Sequence, residues 1–87
     1  MATYVARIER DGKTVLERAD VTVEILDDGG WRARFLVPSG IRFPRETELG
    51  LAFADGRHGQ ARIDHIHPAA PKSGARLVEL SGVGALG

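Results

Sequence analysis

The sequence predicts an all-β domain: a small antiparallel barrel or two-sheet sandwich of six or seven hairpin-linked strands, with no substantial helix. Three observations predict it. Apolar residues recur with period two along most of the chain, as half-buried strands require. Asp11-Gly12, Asp28-Gly29 and Asp55-Gly56 separate alternating runs, and Asp-Gly between two such runs is the strongest short hairpin signal. No stretch places apolar residues at helical spacing between a cap and a stop.

In chain order, the first strand is Thr3 to Glu9, with Tyr4, Ala6 and Ile8 on one face and Val5 out of pattern. After the turn Arg10–Lys13 comes a short strand, Thr14 to Arg18, and then an alternating run with Val21, Val23 and Ile25. The turn Asp27–Gly30 leads into the clearest strand, Trp31 to Val37, whose residues 31, 33, 35 and 37 share the core face. Pairing across that turn sets Ile25 and Trp31 together on the core face, an aromatic–aliphatic cross-strand pair worth roughly 0.2–1 kcal/mol. Pro38 ends the strand because it has no N–H for the ladder.

The stretch from Pro38 to Glu48 reads as a long connection, with Ile41 and Phe43 as two apolar anchors or a short edge strand. It is the one connection long enough to carry something of its own. Leu49, Leu51 and Phe53 mark the next strand, and His58 to His67 another. Ile66 is out of phase with Ile63, which points to a bulge near Asp64-His65 or to the strand's end. Pro68–Gly74 is a loop, Ala75 to Ser81 the last strand, and a Gly-rich tail begins at about residue 82. The expected core is Ile8, Val21, Val23, Ile25, Trp31, Ala33, Phe35, Leu49, Leu51, Phe53, Ile63 and Leu80.

Length and composition bound the rest. The 87 residues make one domain, residues 1–87, and a chain this size buries roughly 60–65% of its unfolded surface, so the core is thin. The chain has no cysteine, so neither disulfides nor thiolate ligands reinforce it. Twelve basic residues balance twelve acidic ones, which removes the bulk attraction that a nucleic-acid binder uses. Ten Arg against two Lys, with many Gly and Ala, point to a GC-rich bacterial genome. Neither a signal peptide nor a run near the roughly 20 apolar residues of a membrane span is present, so the expectation is a cytoplasmic chain with no membrane partner.

The candidate chemistry is sparse. His65 and His67 lie two apart on a strand, so both side chains point to one side, a spacing that metal sites use; Asp55, His58 and Asp64 are near in sequence. The competing reading is a rim position, where polar residues belong. Arg32 and Arg34 form a same-face basic pair on the outer side of the best strand, and Arg42 and Arg45 follow in the connection. With Tyr4 and Phe43 as the available aromatics, they could hold a small ligand or a single strand. The plainer reading is a solvated face paired with Glu24. Ser39, Ser73 and Ser81 sit in turn or tail contexts with no His tied to them by motif, and no pair of acids is spaced for acid–base work. Lys72-Ser73 and Gly82-Val83-Gly84 lack the spacing of phosphate or dinucleotide loops. No cofactor is implied.

In outline such a barrel is similar to the PilZ domains that bind cyclic di-GMP through an Arg-x-x-x-Arg motif and an (Asp/Asn)-x-Ser-x-x-Gly motif. Neither occurs here, since Arg42 and Arg45 are three apart and no Ser follows an Asp or Asn at the right distance. The similarity therefore carries over no residue.

The function expected from the sequence is a non-catalytic interaction or adaptor module that binds another protein or a second copy of itself, with nucleic acid disfavoured. Sheet edges able to accept a partner strand would serve such a role. The expected contact surface is Arg32, Arg34, Ile41, Arg42, Phe43 and Arg45. Two other readings are a small-ligand or nucleic-acid-binding barrel on the arginine face, and a metal site at His65 and His67.

Overall fold

Alternating sequences with tight turns pair first with their neighbours, and the pairing found here goes on to close a cylinder. A computed structural model describes residues 1–44 and 47–87 of the chain. Its six strands are β1 (Ala2–Arg10), β2 (Lys13–Ile25), β3 (Trp31–Val37), β4 (Glu48–Phe53), β5 (His58–Ile66) and β6 (Arg76–Val83). They form a closed antiparallel barrel in the order β1-β2-β3-β6-β5-β4, with β4 returning to β1. At the first turn Asp11 and Gly12 both have positive φ, 54° and 78°. Two left-handed residues are what a tight turn needs to match the strand twist.

The expected division of β2 into two strands is corrected: one strand runs from Lys13 to Ile25. Its register against β1 slips between the pairs Ala6↔Ala19, Ile8↔Leu16 and Glu9↔Thr14. Each slip inserts an extra β2 residue, and such bulges break the alternation while leaving the strand continuous. A bulge also falls at Asp64 in β5, between the pairs Ile63↔Leu80 and His65↔Glu79.

Closure changes the reading of the edges. Each strand has a hydrogen-bonded neighbour on both sides. The pairing of β2 with β3 covers only Thr22–Ile25, and the part of β2 that runs beyond it is the part interrupted by bulges, a common way of blunting an exposed edge. Closure therefore leaves Lys13–Val21 of β2 as the stretch without a β3 partner.

Inside, the expected core residues are buried except Ile25, which is 64% exposed. Ile25 does pair with Trp31, but it ends β2 at the barrel mouth, and the indole turns inward instead of covering it. Trp31 lies on two glycines: a Cβ at Gly82 would overlap the ring, and one at Gly59 would stand 2.9 Å from it. The tail closes this mouth. Trp31 Nε1 donates to the Gly84 carbonyl at 3.1 Å, Leu86 packs on the core, and Gly87 exchanges backbone hydrogen bonds with His58 at 2.7 and 3.1 Å.

The strands β3 and β4 lie on opposite sides of the cylinder, three positions apart in either direction. Their connection must cross the other mouth, and its two apolar anchors explain how. Phe43 is buried and Ile41 packs partly buried against the core. The expectation that Phe43 is available as a contact or stacking residue is corrected, because desolvating this mouth takes an apolar plug.

Candidate functional site

Because residues alternate across a strand, the ones that leave the core empty onto the outer wall in registered rows. One row runs Thr22–Arg34–Glu79–His65 across β2, β3, β6 and β5. The next runs Glu24–Arg32–Ser81–Arg62–Glu48, reaching β4. The bulge at Asp64 turns two successive polar residues, Asp64 and His65, to the outside. Between these rows lies a cleft of about 240 Å³, floored by Ala33 and Leu80 and walled by Glu24, Arg32, Arg34, Asp64, His65 and Glu79.

The charges in the cleft are unequally engaged. Arg32 Nη2 donates to Glu24 Oε1 at 2.6 Å, so the expected pairing with Glu24 is found. Ser81 Oγ donates to Asp64 Oδ2. His67 Nε2 and Glu79 Oε2 are 2.7 Å apart, and this contact, with smaller contributions from His65 and Arg34, holds the Glu79 carboxyl below its ordinary value of 4.5. Arg34 differs: among the described residues it has no ion-pair partner, and its Nη2 meets only the Met1 sulfur at 3.4 Å.

The two histidines of the sequence pattern are neighbours, with ring centroids 4.4 Å apart in an edge-on arrangement. His58 and Asp55 are at the far end of β5, about 23 Å away at the rise of an extended strand. Among the described residues no group of three or more His, Asp or Glu is placed to hold a metal ion.

Arg42 is exposed and does not line the cleft, nor does any other described residue of the Pro38–Thr47 connection. Arg45 lies outside the described residues. Tyr4 is covered by Arg57, whose guanidinium carbon stands 4.6 Å from the ring centroid. Arg57 is itself held by Asp55, with Nε to Oδ2 at 2.9 Å. The Arg57 backbone N–H, together with that guanidinium, holds the Asp55 carboxyl below its ordinary 3.8.

The structure thus brings Arg32, Arg34, His65 and His67 onto one surface with Glu24 and Asp64, and adds Glu79, which sequence patterning did not single out as a site residue. The sequence does place Glu79 on the outward face of its strand, but only the strand order sets it between Arg34 and His65. Among the described residues no helix is long and apolar enough to cross a membrane. Comparison with protein-family models, with curated proteins and with solved structures returns no match.

Proposed function

We propose that this chain is a non-catalytic interaction module that binds a segment of another protein in the cleft on the outer wall of β2, β3, β6 and β5. The observation that carries this reading is the cleft itself, with Arg34 uncommitted among anchored charges of both signs. Both signs side by side suit a polypeptide segment. They suit a nucleic-acid backbone poorly, since Glu24, Asp64 and Glu79 would repel phosphates. A stacking platform is also missing from this surface, because Phe43 is in the plug and Tyr4 lies under Arg57. Ser81 donates to Asp64 and Ser73 accepts from the Ala75 N–H, which favours binding over nucleophilic chemistry.

Display selection of random peptides on the folded domain, followed by NMR shift mapping of the recovered binders, tests the reading. Binders are expected to perturb Arg34, His65 and Glu79, and to lose affinity when Arg34→Glu reverses the charge. Binders that map to another surface, or oligonucleotides that occupy this cleft in preference to every peptide, would overturn it.

A further inference from the structure

Resting on that reading of the cleft, we propose that the group it recognises is a carboxylate side chain of the partner, seated on Arg34, and that His67 gates this seat by holding Glu79 away from it. The geometry supplies each part. Arg34 and Glu79 are directly opposite in the β3–β6 register, where oppositely charged residues ordinarily pair. They do not form an ion pair here, because the Glu79 carboxylate has turned to His67 on the other side, at 2.7 Å. Arg34 is left against the Met1 thioether, a weak acceptor. A carboxylate in that place would make charge-assisted hydrogen bonds to the guanidinium fork.

The remaining charges around the pair do not supply an alternative partner. On β3, Arg32 is committed to Glu24 of β2. On β5, Asp64 accepts from Ser81, and His65 stands edge-on to His67 and opposite Glu79. Among the described residues, Glu79 is therefore the carboxylate poised between a permanent cation, Arg34, and titratable ones, His67 and His65. When His67 is protonated it keeps Glu79 by a charge-assisted bond, and Arg34 stays open. When His67 is neutral that hold weakens, and Glu79 competes with the partner for Arg34. Affinity for a carboxylate is then expected to be higher in acid, where imidazoles carry a proton, than in mild base. It persists until carboxylates themselves protonate.

The probe is the peptide acetyl-Gly-Glu-Gly-amide, with its Gln counterpart and inorganic phosphate as separate arms, titrated to tens of millimolar against the full chain and followed by NMR (roughly the range for one exposed charge-assisted contact). The Glu peptide is expected to shift Arg34 and its neighbours, binding roughly three- to tenfold tighter near pH 5.5 than near pH 8. Glu79→Gln should bind equally at both pH values, His67→Ala should bind weakly at both, and Arg34→Gln should not bind. Pairing of Arg34 with a carboxylate is overturned if the Gln peptide binds as well, if phosphate binds more tightly, or if no peptide shift appears. Gating is overturned if the pH dependence survives in Glu79→Gln. If display-selected peptides still map to the cleft in those cases, the interaction module stands without this proposal; if none does, both fall.

Discussion

The two faces of the β3–β6 pair obey different rules within a few ångströms of each other. Trp31, Ala33, Phe35 and Val37 point inward and are 2–4% exposed, whereas Arg32, Arg34 and Leu36, one residue along in each case, are exposed. The inner face tolerates little, because every atom there meets another at packed density. Gly82 is present because the Trp31 ring occupies the place of its side chain. The outer face is open, and its energetics are electrostatic, solvent-screened and exchangeable. The difference teaches that fold and binding are carried by alternate residues of the same strands. Changes to one face should leave the other intact.

The most direct way to break the comparison is from the inside. Gly82→Val forces the β6 backbone away from Trp31, and is expected to lower stability by about 4 kcal/mol or more, at the upper end of overpacking costs; denaturant unfolding would show it. Phe43→Ala opens the plugged mouth and is expected to cost about 3 kcal/mol, with amide exchange fastest in the connection and at Leu49. An unchanged unfolding midpoint would mean that Phe43 does not close the barrel.

On the outer face the expected effects are smaller and depend on pH. The Glu79 carboxyl titrates below its ordinary 4.5 when folded, chiefly because of His67. Its contribution to stability is therefore complete above pH 4.5 and is lost as the pH falls through the lower folded value. A Glu79→Gln variant should therefore be slightly less stable than wild type near neutrality, lose less on acidification, and converge with it in thermal midpoint below the folded value. The smallest effect is expected for Arg32→Ala, which removes an exposed ion pair worth at most about 1 kcal/mol. A loss as large as that of Phe43→Ala would show that the outer rows hold the barrel together, contrary to the separation of faces.

Much of the inner face was legible because burial and period two are local properties. The strands, three turns, the bulge at Asp64-His65 and the core from Ile8 to Leu80 follow from spacing alone. Two features escaped it for local reasons. The bulges in β2 disguised one strand as two, and Ile25 matched the core pattern but ended on the rim, exposed to solvent. The arginine and histidine pairs were visible as pairs, yet their meeting was not, since β3 and β5 are brought together only through β6.

By itself, then, the sequence determined that strands would form, where they would turn and which side of each would be apolar, because these depend on residues within a few positions. Closure of the barrel, the plugging of one mouth by Phe43 and of the other by Leu86, and the placement of Glu79 between Arg34 and His67 were decided by tertiary structure. They depend on strand order and register, which link residues far apart in the chain and leave no local periodicity to read.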